Sequence, residues 1–410
     1  MTLLDSKTAF NAKAATDAYL AALSPAVHLK ATHYTQGGHW LLLWGWVVTV
    51  AACWLIARSR LLPKLAQGLE RSRPRPILAS FLLGLTFFVV DDVLELPWSV
   101  YANWWREKAY GLTSQPFVGW LTEGAISIAI SAVIGGVFLI ALYALIRRAP
   151  RTWWVWGGGL LAVFFLIMLV LGPVLIEPIF NRYTPAPPGA TRDAVVALAK
   201  KAGVPSDKIY IYNGSKQSNR YTANVSGLFG AARVAMSDVM FKKGADIAEV
   251  RGVVGHEMGH YKHNHAMIGS LIFVVLGLVG FGLVHLAFPT VDRWMGTGAK
   301  GIADPAGLPT LSVILATLSL LGTPILSTLT RVTEADADAF SLQVAHEPDG
   351  LAKALVKTIE YRADSPGWLE EVLFYDHPSV RRRVQRCMDW KAAHPVETQV
   401  QAAEDAAAGS

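Results

Sequence analysis

Cysteine is nearly absent: Cys53 and Cys387 are the only two in 410 residues. One falls inside an apolar run and the other near the C-terminus, so neither a disulfide framework nor a thiolate metal site can be built. Charge is also scarce. With 17% charged and 52% hydrophobic residues, the chain is too apolar for two ordinary soluble domains, and the surplus is expected to face lipid. No internal repeat is present. Residues 1–38 hold a mildly amphipathic stretch, Phe10 to Leu23, without the compact apolar core and small-residue site of a cleavable signal peptide. The net charge of +6 is not the footprint of a nucleic-acid partner. Its Lys and Arg gather in short segments between apolar runs, notably Arg58, Arg60, Lys64, Arg71, Arg73 and Arg75, as a topology signal does.

What the chain does have is six apolar runs, near 40–57, 77–98, 124–146, 153–176, 266–288 and 309–330. Each is close to the roughly 20 residues that a spanning helix needs, the first being the shortest. Trp40, Trp98, Trp104, Trp105, Trp153 and Trp154 stand at run ends, where amphipathic rings suit the headgroup level. The expected class is mainly α: a polytopic α-helical membrane protein carrying a small α+β lobe at one membrane face. That lobe starts where Pro178, Pro185, Pro187 and Pro188 end the fourth run. Thr191 to Ala202 reads as a helix and Lys208 to Tyr212 as a short strand. Asn224 to Met236 reads as a strand or hairpin broken by Gly227 and Gly230. Ala245 to His260 reads as a helix, residues 350–386 as mostly helical, and Val396 to Ser410 as a polar, Ala-rich, disordered tail. The expected divisions are 1–38 (N-terminal amphipathic segment), 39–176 (four spans), 177–265 (the lobe), 266–330 (a transmembrane hairpin), 331–395 (C-terminal helices) and 396–410 (the tail).

His256, Glu257 and His260 form an H-E-x-x-H motif just ahead of the fifth run. At about 3.6 residues per turn, positions four apart share a helix face, so two imidazoles can hold one ion while the carboxylate reaches a water. Zinc would lower the pKa of that water toward about 7. The alternative is a buried structural histidine pair. Two crossings separate the motif from residue 331, so residues 331–386 return to the same face. There Glu334 and Asp338 stand one helical turn apart. One would complete the metal site and the other orient a ligand or handle a proton. The competing reading is a helix N-terminus whose dipole favours acidic residues.

With these motifs in order, the chain resembles the CAAX prenyl protease type of membrane zinc metalloendopeptidase over roughly residues 77–386, as a bacterial-type member. His256 to Lys262 with His265 resembles the family's metal helix, Glu334 to Phe340 its E-x-x-A-D-A-F element, and His377-Pro378 with Arg383 a third element. Leu96 to Tyr101 and Glu177 to Pro185 resemble segments flanking its spans. The resemblance implies one zinc ion held by His256, His260 and Glu334, with Glu257 activating water. It further implies that Asp338 acts as proton donor or ligand partner, and that His377 and Arg383 stabilise the oxyanion. Read without the resemblance, Arg381, Arg382 and Arg383 are a solvated basic face. The substrate peptide would lie along an edge strand at Ala223, Asn224, Val225 and Gly227. Two departures stand out. Thr222 occupies a position where the family usually has Asn, and six spans replace the seven of the animal and fungal enzymes.

The expected partners are peptide or protein substrates, lipidated or membrane-associated, and the lipid bilayer; no nucleic acid is expected. The expected location is a bacterial inner membrane. The basic segments at 58–75 and 147–151 favour an extracytoplasmic site, whereas eukaryotic relatives work from the cytosolic side. Rival readings are a quality-control factor that holds substrates, a metal carrier using His256, His260, His263 and His265, and a protease cleaving within the membrane. A carrier should place its ligands at mid-membrane, and an intramembrane protease should bury the motif in a span. Asp91, Asp92 and Glu95 either line a hydrated chamber or mark an interfacial helix end at Pro97.

Overall fold

The computed structural model describes residues 10–71, 73–227 and 233–408. Among them, six helices are long and apolar enough to cross a membrane. Helix α1 (Ala12–Ala21) is followed by α2 (Pro25–Ser59), the first span. This helix is far longer than the 40–57 run, because its polar N-terminal half continues the same helix and packs against the lobe. The expected division at residue 38 therefore falls inside a helix. Helix α3 (Leu61–Glu70) follows on the opposite face. The second span, α4 (Pro76–Ala109), passes through Pro97 and a wider turn at Val100–Trp105 without ending. Asp91, Asp92 and Glu95 therefore stand near the middle of a continuous helix rather than at its end. Thr49 of α2 donates to Glu95 at 2.6 Å, and the Cys53 thiol to Asp91 at 3.8 Å, so two of these acids face protein.

Helices α5 (Phe117–Arg148) and α6 (Trp153–Phe180) are the third and fourth spans. Trp153 is not an interfacial ring. It is fully buried, and its indole donates to His285 at 3.2 Å.

The lobe follows with β1 (Tyr183–Pro185), α7 (Ala190–Ala202), β2 (Ile209–Tyr212), β3 (Ala223–Ser226) and β4 (Arg233–Ser237). Among the described residues the sheet runs β1-β2-β4-β3, which leaves β3 on the edge. It pairs antiparallel with β4, Ala223 opposite Met236 and Val225 opposite Val234. Gly227 closes the strand at φ 105°, and Gly230 lies outside the described residues. After α8 (Asp238–Lys242) comes α9 (Ile247–Lys262), the motif helix. Asp246 caps it in a reciprocal box with Glu249, satisfying two donors that would otherwise be orphaned at its start.

Helix α10 (His265–Met295) and helix α11 (Leu308–Ala345) are the last two spans. Glu334 and Asp338 lie deep within α11, not at a helix start, so the dipole reading of these acids fails. Helices α12 (Pro348–Lys357), α13 (Trp368–Phe374), α14 (Val380–Ala393) and α15 (Pro395–Ala408) complete the chain. Helix α15 corrects the expected disordered tail: Ala, Glu and Gln are good helix formers, Pro395 suits a first turn, and Gln401 is buried.

Three glycines set how closely α9 meets its neighbours. A Cβ on Gly252 would meet the backbone N of Leu351 at 2.8 Å, one on Gly255 the Ser341 hydroxyl at 2.9 Å, and one on Gly259 the Cα of Ala337 at 3.0 Å. This bare stripe lets α11 lie against α9, and that contact carries Glu334 to the histidines. Gly259→Val is expected to destabilise the lobe by about 1–3 kcal/mol through overpacking against fixed backbone. A lowered melting temperature in detergent, with reduced metal content, checks it.

Candidate active site

The site is assembled from α9, α11 and the segment leading into α14. His256 and His260 project from one face of α9, their Nε2 atoms 3.1 Å apart. Glu334 arrives from α11 with Oε2 3.3 Å from His256 Nε2 and Oε1 3.3 Å from His260 Nε2. One ligand atom from each of the three lies within 4.8 Å of the others. With Nδ1 of His256 turned to the Asp338 carboxylate, its Nε2 presents a lone pair to the centre of the group, and Glu334 Oε2 is buried without a hydrogen bond. A divalent cation would satisfy all three at once, and the nitrogen and oxygen donor set suits zinc.

Supporting contacts fix these donors. His256 Nδ1 lies 3.0 Å from Asp338 Oδ1, a carboxylate partner that holds the ring with Nε2 facing inward. Asp338 in turn accepts from Arg383 through Nη2 at 2.7 Å and Nε at 2.8 Å. Both are buried, Asp338 fully so and Arg383 at 5% exposure. Deleting one partner would strand the other charge. Asp338→Ala is therefore expected to cost about 3–5 kcal/mol, a loss that thermal unfolding in detergent would register. Burial alone would lower the pKa of His256, but the carboxylates of Asp338 and Glu334 beside its two nitrogens outweigh this and raise it to about 9. Glu257 is raised above the usual carboxylate range, chiefly by burial, with His256 and His260 only partly opposing.

Glu257 and His256 line a cavity of about 640 Å³ whose walls also include Tyr34, His39, Arg220 and His377. His377 Nε2 is 3.2 Å from Glu334 Oε1, while its Nδ1 is 2.8 Å from Asp376. A second cavity of about 400 Å³ lies beyond His260 and Glu334, among Val225, Gly227, Phe273 and Leu326. Ala223 lines the first cavity and Val225 the second, so edge strand β3 runs between the two past the histidines. Thr222 stands at the margin of the larger one.

Several groups here escaped the sequence reading. Arg362 lies 3.2 Å from His377 Nε2, and Asp376 orients that ring from the adjacent position. Arg220 donates to Glu107 at 2.6 Å and to the Tyr34 hydroxyl at 2.8 Å, tying the lobe to α4 and α2. None belongs to a recognisable motif. Only Asp376, next to His377, left any trace in the order of residues.

The sequence pattern described as peptidase family M48 matches residues 187–391, half of the chain. The chain belongs to peptidase family M48. Residues 8–182 match the pattern described as CAAX prenyl protease N-terminal, five membrane helices, over a stretch that holds four span-length helices among the described residues. An uncharacterized metalloprotease, YhfN of Bacillus subtilis, is 27% identical over 78% of this chain and 76% of its own length. The CAAX prenyl protease 1 homolog of Arabidopsis thaliana is 25% identical over 84% and 78% respectively. In fold, the chain matches the crystal structure of S. mikatae Ste24p with a TM-score of 0.75 at 21% identity, covering 92% of this chain and 99% of that one. This M48 member is thus a multi-pass membrane metalloendopeptidase, and its family implies a metal.

Proposed function

We propose that the chain is a zinc-dependent endopeptidase that hydrolyses peptide bonds in membrane-associated or C-terminal peptide substrates through a Glu257-activated water. The observation that carries this reading is the convergence of His256, His260 and Glu334 beside a half-buried Glu257 at a cavity wall. His256, His260 and Glu334 would hold one zinc ion. When bound, the ion supplies a Lewis acid that polarises a carbonyl and acidifies water.

The chain's own groups then do the following. Glu257 takes a proton from the attacking water as its oxygen bonds to the scissile carbonyl carbon. As the carbon–nitrogen bond breaks, Glu257 returns that proton to the leaving amine. His377, with Nδ1 committed to Asp376, keeps Nε2 aimed into the site, where it would donate to the developing oxyanion. Arg383 has two of its nitrogens committed to Asp338, so we assign it chiefly to holding that carboxylate at the cavity wall, with a secondary part in steadying the oxyanion. Asp338 holds His256. The substrate would add to edge strand β3 at Ala223, Asn224, Val225 and Gly227 through main-chain hydrogen bonds. Asn224 Oδ1 is buried without a partner, an acceptor that a docked peptide N–H would fill.

The substrates would be lipidated or membrane-bound chains and the setting a bacterial inner membrane. Arg58 and Arg60 gather beside the Gly296–Gly298 turn, on the face opposite the site. Positive-inside logic then turns the site away from the cytoplasm, which labelling of a cysteine introduced at residues 185–190 in intact cells would test. The reading itself is tested by incubating the purified protein with a peptide library, with and without chelator, and mapping products by mass spectrometry. Chelator-sensitive internal cleavage is expected. Binding of peptides without cleavage would favour a substrate-holding factor instead.

A further inference from the structure

A second group of metal-binding side chains lies outside the proposed catalytic set. His263, His265 and Asp336 each offer one donor atom, all within 4.8 Å of one another. The backbone builds this cluster. Asn264 links α9 to α10 in the left-handed region at φ 54°, a conformation Asn tolerates, and the reversal turns both flanking histidines toward α11. Asp336 sits between Glu334 and Asp338 in sequence but on another face of α11, so it looks outward while they look inward. Its Oδ2 meets His263 Nδ1 in a short contact and His265 Nε2 at 3.1 Å. Asp336 is exposed and the His263 ring partly so, which lets water complete a coordination shell. Two imidazoles and one carboxylate suit a borderline divalent ion such as zinc, rather than calcium or magnesium.

The two sets share a contact: His265 Nδ1 lies 2.9 Å from His260 Nδ1. We propose that His263, His265 and Asp336 form an outer site for a second divalent transition-metal ion, and that filling it weakens the inner site through His260. This coupling rests on the reading that His260 holds the catalytic ion through Nε2. A neutral imidazole bound to metal through one nitrogen carries its proton on the other. With the outer site empty, His260 Nδ1–H donates to His265 Nδ1, and His265 donates from Nε2 to Asp336. A metal on His265 Nε2 moves the proton of that ring to Nδ1. Two N–H groups then face each other with no acceptor between them, and one ring must turn away. Excess metal is therefore inhibitory.

The test uses the full chain in detergent, stripped with chelator and dialysed against rising zinc, with bound zinc per chain read by plasma mass spectrometry. The wild type is expected to take two ions, and His263→Ala and Glu334→Ala one each. Cleavage of a reporter peptide by the wild type should fall at high zinc, and His263→Ala should require at least about tenfold more zinc for the same loss. Asp336→Asn, a milder change at an exposed position, should behave like His263→Ala. A wild type saturating at one ion, or a His263→Ala protein that still takes two, overturns the proposal. If Glu334→Ala keeps two ions while His263→Ala drops to one, the outer site stands and the catalytic assignment fails.

Discussion

Glu257→Gln should retain its zinc and lose peptide cleavage by about 10²–10⁴-fold, the contribution ordinarily made by a positioned general base. The substitution keeps the volume and one carbonyl oxygen but removes the proton acceptor. Glu257 lies among the cavity-lining groups, outside the convergent set of His256, His260 and Glu334, so the metal should stay. Its raised affinity for a proton, caused by burial, is what a base needs if it is to hold a proton before passing it on. Single-turnover cleavage and metal analysis on the same preparation read both halves of the prediction. A metal-loaded Glu257→Gln protein that cleaves at the wild-type rate would remove the base from this residue.

His260→Ala and Glu334→Ala should each lose the ion of the inner site and, with it, cleavage. Each deletes one of three donors, and a loss of metal affinity well beyond the 10–100-fold typical of supporting residues is expected, about 10³-fold or more. For Glu334→Ala the loss reaches further, because the same carboxylate faces His256, His260 and His377. Zinc counted per chain by mass spectrometry separates these variants, one ion short of the wild type, from Glu257→Gln, which keeps the full count. Equal metal content in all three proteins would contradict the division of roles.

Much of this arrangement was legible from residue order, for physical reasons that differ by element. The spans announced themselves because a bilayer demands long apolar runs, and the H-E-x-x-H motif because helical spacing puts both imidazoles on one face. Glu334 came from counting crossings, an argument that fixes a membrane side but no distance. What brings Glu334 within 3.3 Å is the glycine stripe of α9, which carries no chemical signal of its own. Other features were hidden because tertiary context decides them. The apolar run at 40–57 understates the first span because the polar start of α2 remains helical while packing on the lobe. Trp153 stands at a run end, as an interfacial ring would, yet is buried against His285. The C-terminal tail was read as disordered from its polarity, whereas its Ala-rich composition supports a helix with Gln401 buried. Arg220, Glu107 and Tyr34 meet from three distant parts of the chain, and no local pattern encodes such a meeting.

The glycines also separate two routes to inactivity. Gly259→Val displaces α11 and should reduce stability together with metal content, whereas Glu257→Gln should reduce neither. Asp338→Ala belongs with the first, since it leaves a buried guanidinium without its carboxylate.

The most direct test of the central claim is an anomalous difference map at the zinc edge, from crystals of the full chain grown with one equivalent of zinc. A single peak is expected about 2.0–2.2 Å from His256 Nε2, His260 Nε2 and a Glu334 carboxylate oxygen. A peak confined to His263, His265 and Asp336, or none near His256, would contradict it.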